Sequence, residues 1–379
     1  MFGKVISSKA LPLALSALLR LIIAFLISRV FPADLAAPIF LGLAVIPALY
    51  VLNRGRLAAA KTRCLNGLIS VENFDHVHFS VTVLFVGAFI LVLSGTPVWA
   101  KLFTLDAQTL FLGLTLGVLY FFQNTNLMAN EARKRVKTYY WIVVLQLTLT
   151  ACVFSILDSR PSAASVVILA FVVIDLLLNL KTGQKLNKAS LKNEKFSRIE
   201  LTTTLVAAVE LPLVHFLGDA TLTVHYALFT RIYVSIVTVY GQVSRFIWSS
   251  GEKISAYVAG KKREINVNLL FLYAFSSLAF GTLFFDIFIF SAEPQILWSL
   301  PFFGMTLAQL INRFFKNKFL HEAKYEDVGV RVLRYYLFYA AALCAAAILS
   351  LDVASILFLK LALALAILTE NLKENHRAL

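Results

Sequence analysis

Residues 133–185 read RKRVKTYYWIVVLQLTLTACVFSILDSRPSAASVVILAFVVIDLLLNLKTGQK, and this stretch decides the fold. Arg133, Lys134, Arg135 and Lys137 open it, two apolar runs at 138–157 and 164–180 follow with a short turn around Arg160 between them, and cations return at Lys181. A bilayer core about 30 Å thick is crossed by about 20 residues of helix. Both runs are continuously apolar, without the alternation of a transmembrane strand, so each reads as a helix. Short loops rich in Lys and Arg stay in the cytoplasm. The pair therefore enters and leaves the membrane on that side.

The same unit recurs along the chain. Of 379 residues 59% are hydrophobic and 15% charged, against about 45–50% and about 25% in an ordinary soluble domain. Spans are read at 10–30, 35–52, 77–95, 107–129, 138–157, 164–180, 201–217, 223–247, 267–286, 295–312, 333–350 and 353–370. The expected fold class is all-α integral membrane, with about 12 transmembrane helices in two six-helix lobes and both termini cytoplasmic. The first run follows Lys4 and Lys9, as the core of a signal peptide would. Arg20 in its middle argues against cleavage, and it is kept as the first span.

Loop charge supports that count. One set of loops holds 28 of the 35 Lys and Arg residues, the opposite set only Lys101 and Arg160, and five cations lie inside spans. Asp34, Asp106, Asp158, Asp219, Glu293 and Asp352 fall on the cation-poor side. The net charge of +14 is thus a matter of topology and of contact with anionic headgroups, and no nucleic-acid partner is expected. The basic stretch Lys181–Glu200 divides the chain into lobes at 1–180 and 201–379. Ala37–Arg56 and Tyr226–Arg245, the second spans of the halves, both run from an outer boundary into a basic loop, as an internal duplication would produce.

Several classes of chemistry are absent. Cys64, Cys152 and Cys344 lie far apart, with neither metal spacing nor a disulfide framework. The chain has no G-x-x-x-x-G-K-[ST] and no H-E-x-x-H, so phosphate-loop ATP hydrolysis and zinc proteolysis are not encoded in it. No cofactor is expected. The outer loops are short, which disfavours a glycosyltransferase or polymerase.

Polar residues inside the spans are the functional candidates. A charge at the bilayer centre costs on the order of 2.5–3.5 kcal/mol even on the lenient insertion scale, so it normally faces protein or a wet cavity. Arg20, Arg231 and Lys360 are candidate substrate-binding cations, while Arg29 and Arg245 sit near span ends and can snorkel. Arg20 has the alternative of an ion pair with Asp175 or Glu210. Glu210 stands beside the helix-perturbing Pro212 and is the first candidate for coupling to a proton or sodium ion, with Asp175 the second. Both carboxyls have the alternative of tying helices together. Gln123, Asn124 and Asn126 read first as interhelical hydrogen-bonding groups, and His215 and His225 flank a turn at Gly218.

The two-times-six plan, together with Gly218, Tyr226 and Arg231 followed by Ser255, Ala256, Ala259 and Gly260, resembles the polysaccharide flippases of the MOP superfamily, the Wzx-type proteins of bacterial O-antigen and lipopolysaccharide pathways. The local likeness covers about 45 residues. A proline expected near Trp248 is absent, and the stretch Asn53–Arg63 is more basic than the family's. The resemblance implies a multi-pass protein of the bacterial inner membrane that passes an undecaprenyl-diphosphate-linked oligosaccharide from inner to outer leaflet through a cation-lined cavity. Arg20 and Arg231 would be the matching cations. Two alternatives stand beside it. A major-facilitator-like small-molecule transporter would share the basic loop Asn53-Arg54-Gly55-Arg56, here without the Gly and Asp that normally precede it. A membrane-embedded enzyme on a polyprenyl or lipid substrate would need Asp106, Asp158 and Asp219 to converge.

Overall fold

The structure, a computed structural model, describes residues 2–65, 67–102, 104–157, 160–181, 206, 208–250, 253–258, 261–281, 296–321 and 325–377. Apart from Lys181, the linker expected at 181–200 lies outside the described residues. The chain forms two compact units, Met1–Leu228 and Phe229–Leu379, called units 1 and 2 below.

Unit 1 contains α1 (Phe2–Val30), α2 (Ala33–Leu65), α3 (Val71–Leu102), α4 (Ala107–Ala132), α5 (Val136–Ile156) and α6 (Pro161–Asn179), then α7 (Ala208–Leu217) and the start of α8 (Ala220–Ser250). Among the described residues six helices are long and apolar enough to cross a membrane, α3, α5 and α6 among them. Their apolar side chains point outward. Leu91 and Leu177 are about three-quarters exposed, while Gln123, Asn126 and Asp175 are sealed inside. That inversion suits a helix bundle bathed in lipid, where the polar groups must find one another.

The centre of unit 1 is α4, buried along most of its length. It can be so central because small residues let α2 approach. A Cβ on Gly113 would lie 2.2 Å from the Ile39 carbonyl oxygen, and one on Gly42 would lie 2.7 Å from the Leu114 nitrogen. The two backbones touch there, as at other small-residue crossings in membranes. α1 packs on α5, and α6 on the other flank of α4.

Unit 2 holds the remainder of α8, a hairpin of β1 (Lys253–Val258) and β2 (Lys261–Asn266), then α9 (Val267–Gly281), α10 (Ile296–His321), α11 (Tyr325–Ile348) and α12 (Val353–Arg377). Ser255 and Ala256, read from sequence as part of a loop, stand in β1. Tyr240 and Val237 of α8 pack with Leu310 of α10 and Phe271 and Phe275 of α9. The amide of Asn317 donates to the Gly241 carbonyl at 3.1 Å, binding α10 to α8.

Three of the aspartates on the cation-poor side have a local task. Asp106 accepts from the Thr109 N–H at 2.8 Å, Asp219 from Leu222 at 2.7 Å and Asp352 from Ser355 at 3.0 Å. They are N-caps of α4, α8 and α12, each satisfying one of the four N–H groups that a helix start leaves without a partner. Asp158 lies outside the described residues.

Candidate functional site

The interior of unit 1 is organised around Asp175, fully buried on α6. Its carboxylate accepts from the Asn126 amide at 2.9 Å, from the Tyr139 hydroxyl at 2.8 and 3.0 Å and from the Asn179 amide at 3.1 Å. Three helices supply these donors: α4, α5 and α6 itself. An ionised carboxylate is acceptor-only. The amide N–H donors suit its oxygens, and the Tyr139 hydroxyl can donate to the carboxylate or accept from the protonated acid.

The same polar seam continues in both directions. The Asn126 oxygen lies 3.0 Å from Nε2 of His78 on α3. Asn130 donates to Asn179 at 2.7 Å, and Arg133, at the end of α4, reaches the Asn179 carbonyl at 3.0 Å and the Asp75 carboxylate at 2.7 Å. Toward α1, the Arg20 guanidinium donates to Gln123 at 3.1 Å and lies 4.9 Å from the Tyr120 ring centroid. Gln123 in turn donates to Gln146 of α5 at 3.1 Å. Spacing explains this convergence: Asn126 and Asn130, and likewise Asp175 and Asn179, are four residues apart and share a helix face.

The candidates read from sequence fall into separate places. Arg20 sits with Gln123, Asn124 and Tyr120, and Asp175 with Asn126, Tyr139 and Asn179. Glu210, buried on α7, accepts from the Tyr226 hydroxyl at 3.2 Å, and α7 continues through Pro212. In unit 2, Arg231 is half-buried on α8, and the Lys360 ammonium lies 5.8 Å from the Tyr233 ring centroid. Tyr233 is two residues after Arg231, so a cation–π contact places Lys360 beside the stretch of α8 that carries the arginine. The side chain of Arg245 is outside the described residues. His215 pairs with Thr223 at 3.0 Å.

Sequence reasoning missed His78, Tyr139, Gln146 and Asn179. Their signal was present as polar groups breaking apolar runs one turn apart. Which helix each would face was not written in the spacing. Among the described residues no cluster of three or more His, Cys, Asp or Glu is arranged to hold a metal ion.

No protein-family profile matches the sequence, and no curated protein matches it. Solved structures do. A multidrug resistance MATE family transporter of the MOP superfamily in an inward-facing conformation is similar with a TM-score of 0.59 at 14% identity, over 97% of this chain and 98% of that one. Its outward-facing counterpart gives 0.52 at 15% identity, over 98% and 94%. A MOP superfamily transporter from Pyrococcus furiosus Vc1, described as having a binding pocket of reverse polarity that suggests a different function, gives 0.56 at 12% identity, over 97% and 95%. At these identities the likeness carries the fold alone: the chain has the fold of the MATE-type membrane transporters of the MOP superfamily.

Proposed function

We propose that the chain is a transporter of the bacterial inner membrane that moves an undecaprenyl-diphosphate-linked oligosaccharide from inner to outer leaflet by alternating access. Two six-helix lobes, 1–180 and 201–379, joined by the basic stretch 181–200, would carry out the cycle with both termini in the cytoplasm. The observation that carries the reading is Arg20. A guanidinium halfway along a membrane helix is held by the Gln123 and Asn124 amides and the face of Tyr120. Such a group offers charge-assisted hydrogen bonds to phosphate oxygens in place of water. Arg231 and Lys360 supply the cations of unit 2.

Coupling falls to the buried carboxylates Asp175 and Glu210. Moving an anionic headgroup outward is favoured by a negative-inside potential, whereas resetting a cationic site is not. Each charge moved through 100 mV is worth about 2.3 kcal/mol. A proton or sodium ion taken up at a carboxylate offsets that cost. The local acceptor geometry of Asp175 supports it as a group whose charge state matters to its surroundings.

The test uses full-length protein in proteoliposomes carrying a fluorescent diphosphate-linked polyprenyl oligosaccharide on one leaflet. Wild type should move the label across, and Arg20→Gln should slow it by about tenfold or more, the worth of about 1.4 kcal/mol of lost transition-state binding. The multidrug transporters that share the fold favour a second reading, efflux of small organic molecules. Transport of an organic cation with no movement of the lipid would replace the first reading with the second.

A further inference from the structure

We propose that His78 and Asp175, joined through the Asn126 amide, form a single one-proton site in which the proton binds at Nδ1 of His78. This rests on the reading of Asp175 as a coupling carboxylate and adds a residue, an atom and a partner to it.

The tautomer follows from the network. Asn126 presents its nitrogen to the Asp175 carboxylate at 2.9 Å, so its oxygen is the atom that faces His78. That oxygen only accepts, and Nε2 of His78 must therefore carry the hydrogen. Nδ1 is left with its lone pair, in a side chain 1% exposed and with no hydrogen-bond partner. A buried polar atom in that position is rare in folded proteins and calls for an explanation.

A second buried polar atom lies on the same helix face. Thr82 is 2% exposed, lies four residues after His78 and so shares its helix face, and its hydroxyl also has no partner. Buried threonines elsewhere in the bundle return the hydroxyl to the carbonyl four residues back, as Thr125, Thr150 and Thr306 do. Thr82 does not. An acceptor oxygen on the same face, one helical turn along, can receive the added N–H through one water.

The charges around the site are consistent with one added proton. From α6 comes the Asp175 carboxylate and from α5 the Tyr139 hydroxyl bound to it. From α4 comes Arg133, whose charge is met by Asp75 of α3 at 2.7 Å, and Glu131, which is paired with Lys61 of α2 at 2.6 Å. Cys64 of α2 packs in the cluster that holds Phe74 and Val77 of α3. From α1 the Arg20 cation reaches the same seam through Gln123 and Gln146, and with those two ion pairs closed Asp175 is the negative charge nearest along the network to offset an imidazolium. One O–H bond of a hydronium ion breaks and leaves water, its proton adds to the Nδ1 lone pair, Nε2–H stays on Asn126, and the pair goes from a net charge of −1 to 0.

Full-length protein with 13C at the histidine Cε1 positions, in micelles and without substrate, gives the test. The His78 signal is assigned by its loss in His78→Gln. It should titrate in a single step, and Asp175→Asn should weaken proton binding by roughly tenfold by removing the opposite charge. Thr82→Val, which keeps the volume and deletes the hydroxyl, should weaken it by a smaller factor. A His78 signal that stays neutral throughout, or whose midpoint ignores both substitutions, overturns the proposal. Because no substrate is present, a linked titration in a protein that fails to move the lipid would refute the transport reading and leave this site standing.

Discussion

Two helix pairs, α4 with α6 in unit 1 and α10 with α12 in unit 2, can be set side by side. In unit 1, α4 and α6 are joined by Asn130 donating to Asn179 at 2.7 Å. In unit 2, α10 and α12 are joined by Asn371 donating to Asn312 at 3.0 Å. One turn earlier in each helix the two pairs part company. Unit 1 has Asn126 and Asp175, whereas unit 2 has Ala308 and Ile367, both buried. A helix pair of this kind therefore holds together without an acid at that turn. The acid in unit 1 adds something that pairing does not require, which is the main physical reason for treating it as functional.

The ion pairs at the basic ends of the helices differ as well, and they give the largest expected effect. Arg133 and Asp75 are 7% and 10% exposed, whereas Arg331, which bridges Glu370 and Glu374, is 32% exposed. Arg133→Met strands a buried carboxylate and should cost about 3–5 kcal/mol. Arg331→Met should cost about 1 kcal/mol or less. Thermal unfolding in detergent measures both, and equal losses would break the contrast between the units.

Moving the acid sharpens it next. Ile367→Asp puts a carboxyl into unit 2 without the Tyr139 and Asn126 donors, and should lower stability by about 3 kcal/mol. If that variant is as stable as wild type, unit 2 has unrecognised room for an acid and the comparison loses its force. The clasps themselves should differ in the same direction. Asn179→Leu removes the bond from Asn130 and a donor to the buried Asp175 carboxylate and should cost about 2–3 kcal/mol, whereas Asn371→Leu removes its bond to Asn312 and should cost about 1–2 kcal/mol; unfolding in the same detergent will show whether the first loss is the larger.

Much of this plan was legible in the sequence. Apolar runs located the helices because hydrocarbon imposes that pattern. They did not locate the helix ends. α2 runs on to Leu65 and α3 begins at Val71, since backbone hydrogen bonds continue past the lipid boundary that hydropathy detects. Asp106 and Asp352, read from sequence as acids of the cation-poor loops, serve as N-caps. Arg20, Asp175 and Gln123 stood out as charged or amide groups in apolar runs. The partnership of Asp175 with Tyr139 was not legible, because it depends on which helices become neighbours.

A smaller effect follows from one of those caps. The Ser355 hydroxyl and backbone N–H hold the Asp352 carboxyl below its ordinary range. A depressed carboxyl stabilises the fold above its unfolded pKa and loses that contribution as pH falls through the folded value. Asp352→Ala should cost about 1 kcal/mol at neutral pH, and the difference from wild type should vanish in acid. Unfolding measured at neutral and acid pH checks the sign.

The claim that the acid of unit 1 works in transport, while the asparagine clasp only holds helices, meets its most direct test in Asp175→Asn. Proteoliposomes with an imposed proton or sodium gradient, loaded with the labelled diphosphate-linked lipid, would be compared for wild type and variant, with thermal unfolding recorded alongside. The account predicts a folded variant, within about 1.5 kcal/mol of wild type, whose residual lipid movement no longer responds to the gradient. Gradient-driven movement at the wild-type rate in that variant would contradict it.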